Sequence, residues 1–139
     1  MNKLYKQIII ISLFLPVTSL LAADENPDLK MATEKYESCL KTGHCELISS
    51  TLIHLMKMYY QYPDQDYSRI IATLDSISTV MPAKQVCMQA LLTKQYLNGE
   101  RDLDWMMRFS YEEIYHFLKI WSASGDEGVA YGKSRSLDY

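Results

Sequence analysis

The chain has no glycine-rich loop of the phosphate-binding kind, no serine in a nucleophile-elbow context and no run or cluster of basic residues. The first two absences leave no nucleotide-binding or acyl-transfer motif. The third, with a net charge of −3 over 139 residues, disfavours nucleic-acid binding and adhesion to an anionic membrane. Glycine and proline are few, five and four residues, and no stretch alternates apolar and polar residues with the two-residue period of a strand. Cysteine is limited to three residues, so a single intrachain disulfide leaves one thiol over.

The N-terminus carries Lys3 and Lys6, then the apolar run from Ile8 to Leu15, Pro16, and Leu20-Leu21-Ala22-Ala23 before Asp24. Charge, apolar stretch and small residues in that order are the three parts of a secretory signal peptide. From Ile8 to Ala23 there are 16 residues, interrupted by Pro16, against the roughly 20 needed to span a bilayer. Residues 1–23 are therefore expected to be cleaved on export, with no stable membrane insertion afterwards. Residues 24–125 are expected to form one domain and 126–139, with Gly128, Gly132, Ser134 and Ser136, a flexible polar tail. Losing Lys3 and Lys6 leaves twelve basic against seventeen acidic side chains, a net charge of about −5.

The mature chain reads as all-α, with five or six short amphipathic helices packed as antiparallel hairpins. Leu29, Ala32, Tyr36, Cys39 and Leu40 form one stripe, closed by Gly43. A second helix, about Glu46 to Tyr60, carries Ile48, Leu52, Leu55, Met56 and Tyr59 on one face. Leu47, Ile53, Met58 and Tyr62 spill beyond it, so this helix is expected to be covered on two sides. Asp64 or Asp66 caps a third, with Tyr67, Ile70, Ile71, Leu74, Ile77 and Met81 inward. Pro82 is placed to open a fourth with Ala83, Val86, Cys87, Ala90, Leu91 and Leu97 inward and Gly99 as its stop. A short turn holds Trp105, Met106 and Phe109. Ser110 and Glu113 then make a capping box for a last helix with Ile114, Phe117, Leu118 and Trp121 inward.

Cys39 and Cys45 enclose a five-residue turn, and a helical hairpin there can bring their α-carbons within the ~4.4–6.8 Å that a disulfide requires. An oxidising compartment favours that staple. Pairing of either with Cys87 is the alternative, and a buried thiol is the plain reading of Cys87. No metal or cofactor is expected. Cys39, His44 and Cys45 lack the second ligand pair of a zinc site. His54, Met56, Met58, Met106 and Met107 are soft donors of the kind that hold copper, but Met56 and Met58 lie about 200° apart on a helix. Asp64, Asp66, Ser68 and Asp75 imitate a calcium loop whose required glycine is Arg69. Glu112, Glu113 and His116 are the one close acid–histidine group, and the spacing of Glu112 and His116 equally suits a surface ion pair. No catalytic residue is assigned.

A shift of 37 residues superposes Lys57-Met58-Tyr59 on Lys94-Gln95-Tyr96, Leu55 on Leu92, Leu40 on Ile77 and Ile77 on Ile114. Such a period with two helices per unit marks tetratricopeptide-type solenoids. Tyr96-Leu97-Asn98-Gly99, the segment Trp121 to Glu127 and, more loosely, Asp66 to Ile70 resemble Sel-like repeats of the cysteine-rich secreted type. Ile70, Ile114 and Phe117 stand where that family carries small residues. The resemblance implies a short αα-repeat, protein binding on a concave helical surface without chemistry, and a disulfide bracketing the turn between neighbouring helices, of which Cys39 with Cys45 looks like a shortened version.

Ten tyrosines remain after export, and tyrosine anchors interfaces. Tyr59, Tyr60, Tyr62 and Tyr67 cluster around Pro63. With the acidic loop of Glu100, Asp102 and Asp104 they form the expected partner-binding face. The expectation is an exported, periplasmic protein of a Gram-negative bacterium that binds another protein, as an accessory or adaptor of an envelope or secretion machine, and that is compatible with a homo-oligomer. The alternatives are an immunity protein neutralising a toxin or cell-wall hydrolase, and an acid-stress chaperone.

Overall fold

A computed structural model describes residues 26–124. The signal peptide and the C-terminal tail expected from the sequence lie outside the described residues. Contacts divide the chain into two units, Met1–Met31 and Ala32–Tyr139. Of the first, the described part is the opening of helix α1 (Pro27–Leu40). Asn26 caps it: its Oδ1 accepts the Asp28 N–H at 3.0 Å and its carbonyl accepts the Lys30 N–H at 3.1 Å. Pro27 suits the first helical position because an N–H there would find no intrahelical acceptor.

The second unit continues α1 and adds α2 (Cys45–Gln61), α3 (Ser68–Val80), α4 (Lys84–Leu97), a 3-10 turn (Asp104–Arg108) and α5 (Tyr111–Ser124). Among the described residues there is no strand, and the class is all-α. No described helix is long and apolar enough to cross a membrane. Helix α4 packs against α2, α3 and α5, while α2 also meets α5 and the 3-10 turn. Ile48, Leu52, Ile53, Leu55 and Met56 of α2 are fully buried, with Leu74, Ala90, Leu92, Leu103, Ile114 and Leu118 around them. Helix α2 is thus covered on more than one side, as its excess of apolar residues requires.

The punctuation follows the side chains. Gly43 and Gly99 hold φ of +78° and +71°, the left-handed region that a residue with a Cβ adopts at a cost. Asp66 Oδ1 accepts the Ser68 N–H at 2.9 Å ahead of α3. At α5, Glu113 Oε2 accepts the Ser110 N–H at 2.8 Å and Ser110 Oγ accepts the Glu113 N–H at 3.3 Å, a complete capping box.

Helix α4 departs from the sequence expectation. It starts at Lys84, two residues after Pro82, and its inner face is Val86, Gln89, Ala90, Leu92, Thr93, Tyr96 and Leu97, with Cys87 and Leu91 only half-buried. Polar residues occupy that face because each finds a partner. Ser49 Oγ donates to Gln89 Oε1 at 2.6 Å, Thr93 donates to the Gln89 carbonyl at 2.9 Å, and Tyr96 donates to Asp104 at 2.7 Å.

The expected staple is also absent from this structure: Cys39, Cys45 and Cys87 are all free thiols. Cys39 is half-buried at the end of α1 and Cys45 exposed at the start of α2. The Cys87 thiol points back to the preceding turn, against the Met81 carbonyl at 3.0 Å and the Ile77 carbonyl at 3.4 Å.

Candidate functional site

The C-terminal end of α2 and the loop after α4 meet at an open hollow of about 290 Å³. Tyr59 and Tyr60 of α2 form one side, followed by Pro63 in the next turn, and Gly99, Asp102 and Asp104 form the other. The loop is brought there by its own hydrogen bonds. The Tyr96 hydroxyl donates to Asp104 Oδ1 at 2.7 Å, and Asp102 Oδ1 accepts the Asp104 N–H at 3.0 Å. Gly99 makes the reversal that starts the loop, its N–H bonded to the Tyr96 carbonyl at 3.0 Å.

The aromatic wall is fixed from behind. Tyr59 makes edge contacts with Tyr96 at 4.9 Å and with Tyr67 at 5.5 Å between ring centroids, the arrangement that ring quadrupoles favour. Tyr96 is 2% exposed and Tyr67 is 4% exposed. Burial, then the hydrogen bond to Asp104 and the charge of Asp104, push the Tyr96 hydroxyl far above the usual phenol range. Burial, with Tyr59 beside it, pushes Tyr67 up to about 12. Both therefore stay protonated donors at any physiological pH.

Of the seven residues expected to form the face, the structure brings Tyr59, Tyr60, Asp102 and Asp104 together around the hollow. Tyr60 and Tyr62 are 44% and 46% exposed, and Tyr62 closes α2 beside the hollow with its N–H on the Met58 carbonyl. Tyr67 is an internal support, its hydroxyl donating to the Tyr62 carbonyl at 2.9 Å. Glu100 is exposed and accepts the Asn98 side-chain amide at 3.2 Å. Sequence reasoning missed Tyr96, which lies on the buried face and ties the acidic loop to the aromatic wall. Its signal was the eight-residue step to Asp104 across Gly99.

The remaining chemistry-bearing residues are occupied elsewhere. Met56, Met58, Met106 and Met107 are core residues. Asp75 pairs with Lys94 at 2.5 Å, Asp66 accepts the Ser68 N–H just ahead of α3, and Glu113 caps α5. Glu112 and His116 are exposed on α5. His54, also exposed, stacks on Tyr36 at 6.1 Å and leans on Tyr111 at 5.1 Å. Among the described residues no three of His, Cys, Asp and Glu gather as metal ligands, and Cys39, His44 and Cys45 are no exception.

A larger hollow, about 570 Å³, lies between the end of α1 and α3, with Leu40, Ile77, Val80 and Met81 as apolar wall. Its carboxylate, Glu37, is already engaged by Lys41 at 2.7 Å and Arg69 at 3.1 Å. In the smaller hollow the exposed Asp102 and Asp104, each with one oxygen engaged, share the lining with Arg101, the half-buried Tyr59 and the exposed Tyr60. Comparison of the chain with protein-family models, with curated proteins and with solved structures finds no match in any of the three.

Proposed function

We propose that this chain acts by binding another protein through the Tyr59–Tyr60 and Asp102–Asp104 face, as an accessory or adaptor subunit of an envelope or secretion machine in the periplasm of a Gram-negative bacterium. The observation that carries the reading is the convergence of two tyrosines and two carboxylates, distant in sequence, on one open hollow backed by buried aromatic rings. Interface anchors are rigid aromatic side chains set in partly desolvated recesses. Export rests on the charged, apolar and small-residue order of residues 1–23.

Two finer features belong to the same proposal. In an oxidising compartment Cys39 and Cys45 close the α1–α2 turn as a disulfide. Helices α2 and α4 are equivalent members of a 37-residue αα-repeat; the burial of both Leu55 and Leu92 and the ring contact of Tyr59 with Tyr96 support that equivalence. The inhibitor reading differs in partner rather than in surface. It is favoured by the acidic character of the hollow, which suits the basic surface of a toxin or hydrolase.

The test is capture from an envelope extract with the mature chain as bait, beside a Tyr60→Ala, Tyr62→Ala double variant. Both side chains are exposed, so the variant should keep its helical circular dichroism and lose its partner. Equal capture by the two baits would remove this face.

A further inference from the structure

Among the described residues lining the hollow, charge is unbalanced: Asp102 and Asp104 face one cation, Arg101. Arg101 donates its Nε–H to the neutral Gln95 Oε1 at 3.1 Å and keeps its charge, so the lining sets two carboxylates against one guanidinium. Glu100, next in the loop and exposed, adds a third carboxylate outside the lining. Facing the acidic side are Tyr59, whose ring is held by Tyr67 and Tyr96, and Tyr60, whose ring stands at the rim.

The volume limits the occupant. About 290 Å³ sits below the ~300–1,000 Å³ of sites that hold a drug-sized molecule, and the hollow is open on one side. It has room for one side chain. An anionic group is repelled by the carboxylates, and a purely apolar one takes water from their free oxygens without supplying a donor. A basic side chain satisfies both walls. Its methylene stem lies along Tyr60 and Pro63, and its cationic head reaches the carboxylates with the aromatic face alongside.

We infer that the hollow is a receptor for a single lysine or arginine side chain presented by the partner protein. The inference rests on the binding-face reading above and specifies its chemistry. Asp102 and Asp104 each spend one oxygen on the loop, Asp102 on the Asp104 N–H and Asp104 on the Tyr96 hydroxyl. An asparagine at either position keeps an acceptor oxygen for that bond, while the charge is lost and the second oxygen becomes an amide donor. The substitutions Asp102→Asn and Asp104→Asn therefore separate recognition from folding.

The experiment is amide-resolved NMR on the mature chain, titrated with capped pentapeptides that differ only in a central lysine, arginine, norleucine or glutamate. The lysine and arginine peptides should give saturable shifts at Tyr60, Gly99, Asp102 and Asp104, weakening as salt is raised. Norleucine and glutamate peptides should leave these resonances in place. Asp102→Asn with Asp104→Asn should weaken the lysine peptide about fivefold or more without altering the remaining spectrum. Equal shifts from norleucine and lysine, or no saturable shift from either basic peptide, would overturn the inference. If that happens while Tyr60→Ala, Tyr62→Ala still abolishes capture, the binding face stands and only its basic-residue chemistry falls. If the basic peptides bind but capture is unchanged, the hollow is a cation receptor and the binding-face reading falls.

Discussion

At Glu37 two cations converge on one carboxylate that is itself almost buried. The Lys41 hydrogen bond first, then the charges of Arg69 and Lys41, hold its pKa below the ordinary glutamate value of 4.5, with burial opposing them. A depressed carboxylate pKa stabilises the fold above the unfolded-state value, and that stabilisation is lost as pH falls through the folded-state value. Asp66, held low chiefly by the Ser68 N–H, acts with the same sign. Denaturant midpoints should therefore drop as pH falls below the ordinary carboxylate values of 4.5 and 3.8. Glu37→Gln should flatten that drop while lowering the midpoint at neutral pH. A Glu37→Gln variant with the same acid slope as the parent would show that the Lys41 and Arg69 pairs contribute nothing measurable, as exposed ion pairs often do. The Glu37–Arg69 pair joins α1 to α3, so protonating Glu37 removes one link between these helices. An acid-stress chaperone would bind an apolar-surface dye after that step, whereas a fixed binding module would not.

The helices legible in the sequence are those whose buried face is mostly apolar, although α2 also buries Ser49 and Thr51. Helices α2, α3 and α5 bury Leu52 and Met56, Ile70 and Leu74, and Ile114 and Leu118, all at the 3- and 4-residue steps of one face. The Ser110–Glu113 box was equally readable because both of its bonds are local. Ser110→Ala should cost about 1 kcal/mol, read as a lower thermal midpoint; no change would mean that tertiary packing alone fixes the start of α5. Helix α4 was misread because hydropathy counts Gln89, Thr93 and Tyr96 as surface, and only the distant partners Ser49 and Asp104 make two of them interior. The same bond from Tyr96 explains why the aromatic–acidic face could be named from sequence while its support could not. The α1–α2 turn carries a separate prediction. Protein recovered from an oxidising compartment should contain a Cys39–Cys45 peptide linked by a disulfide, and Cys39→Ser should lower stability by about 2–3 kcal/mol. A linked peptide containing Cys87 instead would require the α3–α4 turn to give up the thiol contacts at Ile77 and Met81.

At the scale of the whole molecule, the described helices bring one aromatic–acidic hollow together at the end of α2. Two core helices, α2 and α4, end at that hollow, and the loop following α4 is held both by hydrogen bonds and by the fully buried Leu103. The proposed partner recognition would use this aromatic wall and the two carboxylates facing it, each of which already has one oxygen engaged within the loop. Whether the task is assembly or inhibition depends on whether the partner is a resident envelope subunit or a toxin from another cell. The central claim is tested most directly by parallel capture with the mature chain and its Tyr60→Ala, Tyr62→Ala variant, with partners identified by mass spectrometry and helicity measured on both baits. The account predicts one partner, or one connected set of subunits, retained by the parent and lost from a variant of unchanged helicity. The same proteins on both baits would contradict it.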